Sequence, residues 1–385
     1  MPVQGSDSEI SRHARDLHFS SIVIDTHVDT TQRLSEPAFH LGSRDSNGAL
    51  DLPRLREGGV TAVFFAVWVR GTVTGAEAIQ QATEQIKSIH RAVARHAGQV
   101  VLARTADDIR RAHSQGKIAI LIGIEGGHMI DSSLDVLRRF ASLGARYMTL
   151  THMRNTEWAD ASTDPPLHDG LSDFGKQVIL EMNRLGMIVD VSHASDKTLR
   201  DVLHTSQAPV FASHSSCKAI CDTPRNLSDD LMRALAAKNG LMQINFHVGF
   251  LSREFSQFEA AHPEIENEIE AEAKKRSAES GARELIEWDK IVREFMGRGE
   301  LPRVEWTRII DHVDHAVQVA GIDHVGLGSD FDGACMPFGM EDASKLPQIT
   351  EALLRKGYSD DGIRKILGEN LLRLMQDVDA ASQKT

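Results

Sequence analysis

Ile22-Val23-Ile24-Asp25-Thr26-His27-Val28-Asp29-Thr30 is a run of β-branched residues that ends in a His-x-Asp pair. The run predicts a buried strand. Residues two apart on an extended segment point to the same side, so His27 and Asp29 are placed to grip one cation from the strand's mouth. An imidazole nitrogen and a carboxylate oxygen are both ligands that suit zinc. His-x-Asp is common by chance, and the pair gains meaning only if later strands deliver matching ligands.

Seven further apolar runs follow, and most of them end in an ionisable residue. Thr61 to Val69 has strand composition, and Lys117 to Ile124 leads into Glu125-Gly126-Gly127-His128. Tyr147 to Leu150 precedes Thr151-His152, Met187 to Val191 precedes Ser192-His193, and Pro209 to Ala212 precedes Ser213-His214. Leu241 to Asn245 is the seventh strand, and Val325 to Leu327 the eighth, ending in Gly328-Ser329-Asp330-Phe331-Asp332-Gly333. Helical segments lie between them, several closed by Gly144, Gly186 or Asn239-Gly240, the residues that cap helix C-termini. Alternating β and α implies parallel strands with crossover helices, and eight such units close into a (β/α)8 TIM barrel, ordinarily of about 250 residues. The surplus falls in two places. Residues 1–20 read as an N-terminal arm, and Leu251–Ile310, rich in Glu, Lys and Ala, reads as a helical insertion between strands seven and eight. The charge run from Glu264 to Lys275 is a solvated helix face. With no internal repeat and no low-complexity linker, residues 1–385 form one expected domain.

Composition excludes several classes. A formal net charge of -12 and the absence of any basic run argue against a nucleic-acid partner. No apolar stretch reaches the roughly 18 residues of a membrane span, and the first twenty residues are too polar for a signal peptide. Cys217, Cys221 and Cys335 make no disulfide framework, which suits a reducing compartment. The expectation is a cytoplasmic protein with no membrane and no nucleic-acid partner.

His27, Asp29, Glu125, His152, His193, His214 and Asp330 thus follow apolar runs on their C-terminal side, the face on which barrels of this class build active sites. A lone histidine after a strand is ordinarily a hydrogen-bonded structural residue; seven ionisable residues in register on six strands are not explained by packing. Ligand counting points to two zinc ions, one held by His27, Asp29 and Glu125, the other by Glu125, His193 and His214, with Glu125 bridging. Such a pair lowers the pKa of bound water to about 7, and a bridging hydroxide then serves as the nucleophile. Asp330 is left to take its proton and pass it to the leaving amine. His152 is placed to polarise the scissile carbonyl. Arg225, just past strand six, offers a bidentate clamp for a substrate carboxylate, although a structural salt bridge is an equal reading of that residue alone.

These motifs, in order Asp25-Thr26-His27-Val28-Asp29, Ile124-Glu125-Gly126, Leu150-Thr151-His152 with Asn155-Thr156 and Trp158-Ala159-Asp160, Asp190-Val191-Ser192-His193, Ser213-His214-Ser215 and Gly328-Ser329-Asp330-Phe331-Asp332-Gly333, resemble the membrane (renal-type) dipeptidase family, peptidase family M19 of the amidohydrolase superfamily. Gly170-Leu171-Ser172 and Glu181 to Gly186 share the likeness, which runs from about residue 20 to residue 375. The resemblance implies a barrel with a binuclear zinc centre and hydrolysis of free dipeptides, including some with a D-residue at the C-terminal position. It carries over His27, Asp29, Glu125, His193 and His214 as ligands, His152 and Arg225 as substrate-binding residues, Asp330 as the catalytic acid/base, and a homodimer. Membrane attachment is not carried over, because the mammalian members are disulfide-linked and lipid-anchored and this chain has few cysteines and no anchor signal. In Asn245-Phe246-His247 a histidine stands where an aromatic such as Tyr is expected; it reads as an exposed loop residue ahead of a substrate contact. An N-acyl-amino-acid deacylase or a β-lactam-hydrolysing relative would use the same site without needing a free amine. A non-catalytic barrel kept as a binding module is the remote alternative.

Overall fold

A computed structural model describes residues 10–384; residues 1–9 of the expected arm lie outside them, and the arm's helix is Arg12–Ser20. Among the described residues there are nine parallel strands: β1 (Ile24–Val28), β2 (Ala62–Trp68), β3 (Val100–Leu102), β4 (Ile118–Glu125), β5 (Ala145–Thr149), β6 (Ile188–Asp190), β7 (Phe211–Ser215), β8 (Leu241–Ile244) and β9 (Val325–Leu327). Eight of them run in the order β1-β2-β4-β5-β6-β7-β8-β9 with helices between, a nearly closed (β/α)8 barrel as the strand count predicted. The ninth, β3, was not anticipated. It pairs only with the first half of β4, from Val100↔Ile118 to Leu102↔Ile120, and stands off the ring.

Closure between β1 and β9 is made just above the strands. Val28 bridges Phe331 in parallel, the Asp29 N–H donates to the Phe331 carbonyl at 2.8 Å, and the Asp330 N–H donates to the His27 carbonyl at 3.0 Å. Asp25 ties the same seam from within, accepting from the Ser329 N–H at 2.9 Å and from the Ser329 hydroxyl. Burial with little compensating charge raises its pKa to about 6.

Strand alternation explains which residues reach the mouth. Ala62 and Phe64 of β2, and Ala119 and Leu121 of β4, pack with Tyr147, Ile188, Phe211 and Leu241 in one core, while Val63, Phe65 and Val67 pack in the other with the helices. Continuing the inward parity by two residues at a time leads from Phe64 through Ala66 to Trp68, and from Leu121 through Gly123 to Glu125. Gly123 is small for a reason. A Cβ there would lie 2.0 Å from Cζ and 2.4 Å from Oη of Tyr147, whose ring packs on Phe64 at 5.4 Å and Phe211 at 5.3 Å. Gly123→Ala is expected to push Tyr147 off its seat and to cost about 2 kcal/mol of stability, the usual scale of overpacking. A denaturation midpoint equal to wild type would show that the ring has room to move.

The surplus helices between β8 and β9 are Val248–Leu251, Arg253–Ala261, Pro263–Ser280 and Glu284–Arg298. The predicted insertion ran to Ile310, and that boundary is corrected. Helix Thr307–Ala320 buries Ile309, Ile310, Val313 and Ala316 and is the crossover helix into β9. Pro263–Ser280 buries only Ile269 and Ala273, as a solvated charge run should. Glu284–Arg298 is tied to the mouth of the barrel: Lys290 Nζ donates to Asn47 Oδ1 at 2.7 Å, and Asp289 Oδ1 accepts from the Met336 N–H at 3.1 Å. Among the described residues no helix is long and apolar enough to cross a membrane.

Candidate active site

Six strands deliver the seven predicted residues to one place. His27 lies within β1, Glu125 ends β4, His214 lies within β7, and Asp29, His152, His193 and Asp330 stand just beyond β1, β5, β6 and β9. Glu125 is 4 % exposed and is the hub. Its Oε2 lies 3.4 Å from His27 Nε2, and its Oε1 lies 3.2 Å from His193 Nε2, 3.5 Å from His214 Nε2 and 3.7 Å from His152 Nε2. His27 Nε2 also looks onto Asp29 Oδ2 at 3.6 Å and Asp330 Oδ1 at 3.9 Å.

Three of these spans, 3.4, 3.5 and 3.6 Å, are the ones a shared cation would produce. Two donors on one tetrahedral zinc, each about 2.0–2.2 Å from it, sit about 3.3–3.6 Å apart. Buried His27 Nε2 has no hydrogen-bond partner among the described residues, and His193 Nε2 and His214 Nε2 face one another at 2.9 Å. Three trios offer ligand atoms that all lie within 4.8 Å of one another: His27, Glu125 and His214; Glu125, His152 and His193; His27, Asp29 and Asp330. They do not divide as the sequence divided the ligands. His214 stands beside His27, ring centroids 3.8 Å apart, and His152 and Asp330 stand among the donors too. An imidazole and carboxylate donor set of this size fits divalent zinc.

The electrostatics ask for positive charge. Burial raises Asp29 to about 7, and the neighbouring Glu125 pushes the same way. Burial works against the ionised form of Glu125, but His27, then His193 and His214, outweigh it and carry the carboxyl well below the ordinary range. Burial would likewise lower His27; Tyr147 and the carboxylates of Glu125 and Asp29 hold it well above its usual value. Desolvation takes the half-buried His152 to about 4, and burial lowers His193 and His214 as well. Neutral imidazoles keep a lone pair for a metal.

Beneath the site, hydrogen bonds aim the ligands. Asp190 accepts four: from the Thr149 hydroxyl at 2.5 Å, the Ser192 N–H at 3.0 Å, the Ser213 N–H at 2.9 Å and the Ser213 hydroxyl at 2.6 Å. Since the Ser213 proton goes to Asp190, its oxygen can only accept from His214 Nδ1, 2.7 Å away. That leaves His214 Nε2 bare toward the centre. His27 Nδ1 lies 2.8 Å from Tyr147 Oη, and Asn245 Nδ2 donates to Asp330 Oδ2 at 2.9 Å. Two site residues carry backbone strain, His193 at φ 64° and Asp330 at φ 68°, of the kind that collects at functional sites. Close packing of the last loop depends on Gly333, where a Cβ would lie 2.0 Å from Asp29 Oδ2.

Arg225 is 4 % exposed and forms no ion pair with any carboxylate among the described residues. Its Nη2 donates to the His214 carbonyl at 3.2 Å, its Cζ lies 5.2 Å from the Phe250 ring, and Nε is unpartnered. Burial lowers it to about 10, still a cation. The structural salt bridge that sequence left open is therefore absent among the described residues. His247 is not the exposed loop residue expected. Its ring packs against Phe250 at 4.6 Å and Trp288 at 6.0 Å, and Nδ1 accepts the Cys335 N–H at 3.3 Å. The sequence alone did not mark Trp68, Tyr147, Asp190 or Asn245 as parts of the site. An acid two or three residues before His27 and His193 was the available sign for Asp25 and Asp190.

Comparison with known proteins identifies the family. The family described as membrane dipeptidase (peptidase family M19) matches residues 11–385. The chain is 35% identical over 356 residues to Dipeptidase tcpJ of Claviceps purpurea (strain 20.1), covering 89% of this chain and 72% of that protein. It is 34% identical over 346 residues to human Dipeptidase 3, covering 88% of this chain and 60% of that one. The structure of a metallo peptidase from Rhodobacter sphaeroides, solved with a phosphinate mimic of the dipeptide L-Ala-D-Ala, superposes with a TM-score of 0.76 at 27% identity, over 93% of this chain and 100% of that chain.

Proposed function

The chain belongs to the membrane dipeptidase family, peptidase family M19, and is a metallo-dipeptidase, a hydrolase of peptide bonds; from that premise we propose that it holds two zinc ions bridged by Glu125 and cleaves free L-Xaa-L-Xaa and L-Xaa-D-Xaa dipeptides. One observation carries the proposal: the two oxygens of Glu125 have different nearest imidazoles, Oε2 lying by His27 and Oε1 by His193 and His214. Asp29 would complete the set on the His27 side. Zinc held there would draw a nucleophile from water near neutral pH and polarise the substrate carbonyl.

The chain's own residues supply the rest. Arg225, a buried cation with free donors, binds the substrate's terminal carboxylate and sets the depth of entry. His152, neutral and with Nε2 turned to the centre, hydrogen-bonds the oxygen of the scissile carbonyl as negative charge develops on it. Asp330 is held below the ordinary carboxylate range: burial opposes ionisation, but His214 and His27 prevail. As an ionised base aimed by Asn245, it takes the proton of the attacking water and hands it to the leaving amine. The D-residue tolerance rests on the dipeptide mimic bound to the Rhodobacter sphaeroides relative.

The test uses zinc-loaded protein and a dipeptide panel with both stereochemistries at the C-terminal residue. Turnover is expected on several members. A C-terminal amide should lower kcat/KM roughly 100-fold, the scale of hydrogen bonds to a charged group, because Arg225 loses its anion. N-acetylation should also abolish turnover; faster cleavage of the blocked compound would instead favour a deacylase. No turnover on any member would remove the dipeptidase reading.

A further inference from the structure

We propose that Trp68 is a positioning residue for the dipeptidase reaction: its indole N–H selects the tautomer of His152 whose Nε2 proton faces the scissile carbonyl. The inference rests on the role given to His152 above and adds the device that makes His152 able to fill it. A neutral imidazole carries one proton, and only the tautomer with that proton on Nε2 can donate into the site.

Trp68 Nε1 lies 3.4 Å from His152 Nδ1, with the two rings edge to face at 5.7 Å. Indole N–H is a donor with no acceptor capacity. Facing it, Nδ1 must be bare, since a proton there would oppose two donors. The imidazole proton is thereby confined to Nε2, which points to Glu125 Oε1 at 3.7 Å and to the centre of the site. The face of the imidazole is held separately, against the His193 ring at 4.4 Å.

Trp68 is itself held on both sides of its main chain. Its N–H donates to Gln85 Oε1 at 3.1 Å, and its carbonyl accepts from Gln85 Nε2 at 2.6 Å and Gln32 Nε2 at 3.0 Å. Gln32 Nε2 also lies 2.9 Å from Gln85 Oε1. Gln85 comes from the helix Gly75–Arg95, and Gln32 from the short helix that begins at Asp29. A strand end of the barrel is thus pinned by two amides, which fixes the main chain from which the indole reaches His152. Packing alone would not require the nitrogen edge of the indole to meet Nδ1.

Two readouts test this. The first is the tautomer in zinc-loaded wild-type protein labelled with 15N-histidine, with the His152 signals identified by their loss in His152→Asn. Two-bond 1H–15N spectra should show a bare Nδ1 and a protonated Nε2, and Trp68→Phe should introduce a population protonated on Nδ1. The second is kinetic. Trp68→Phe should lower kcat about tenfold while KM stays within about twofold, less than the loss from deleting an oxyanion donor outright. In a His152→Ala background the same change should cost nothing further. A protonated Nδ1 in the wild type overturns the proposal, as does an equal penalty in both backgrounds or an effect confined to KM. Wild-type protein inactive on every dipeptide would instead strike the functional reading, while the spectra still decide the tautomer.

Discussion

Replacing Glu125 with glutamine is expected to lower kcat/KM on any dipeptide by roughly 10⁴-fold and to strip zinc from the protein, because one side chain serves both halves of the site. Glutamine keeps the volume and the branching, so packing is spared. What it cannot do is offer an anionic oxygen in both directions. One arm becomes an NH₂ group, a donor pointed at His27 or at the His193 and His214 pair, where a ligand is needed. Removing that negative charge also leaves a site lined by His27, His193, His214 and Arg225 with less to balance them. Zinc per chain by elemental analysis and kcat/KM on the same preparation make the measurement. Near wild-type activity with unchanged zinc would mean that Glu125 does not bridge.

Asp330→Asn should be almost as severe in rate and quite different in kind, with kcat falling roughly 10²–10⁴-fold, the span of general acid–base catalysis, and KM and zinc nearly unchanged. The substitution is clean because asparagine tolerates a positive φ about as well as aspartate, so the strained backbone at φ 68° is not disturbed. The oxygen can still accept from Asn245. Only the ability to take a proton is lost. Asp330 Oδ1 does lie 3.9 Å from His27 Nε2, in one trio with Asp29. If Asp330→Asn releases zinc as Glu125→Gln does, Asp330 is a ligand and the proton carrier must be sought elsewhere.

The barrel was legible because its strands are short apolar runs punctuated by helices, and the site because ionisable residues sit where those runs stop. Less legible were features that depend on neighbours across the sheet. β3 is three residues long, too short for a periodic pattern, and is defined by its pairing with β4. Trp68 and Tyr147 were read as strand residues, but which face each presents follows from register. That register shifts three times, with an extra residue in β1 between Asp25 and Val28, in β5 between Ala145 and Tyr147, and in β7 between Ala212 and Ser215, and each breaks simple alternation in its own strand. Ser213 and His214 both serve the site across the last of them. The insertion's end was misjudged because helix Thr307–Ala320 continues the helical composition before it, and only its buried face reveals that it belongs to the ring. His247 was misjudged because the aromatic residues that cover it are remote in sequence or contributed by the inserted helices.

Four donors from three adjacent staves converge on Asp190, and one of them passes the aim on to His214. A hub of this kind makes the reacting end part of the barrel's own hoop, while the helix around Lys290 and Trp288 is an awning fastened to the loops of the mouth at Asn47, His247 and Met336. The awning can be recut to admit a different side chain without loosening the machinery below, so diversity among such enzymes should gather at the entrance and spare the hoop.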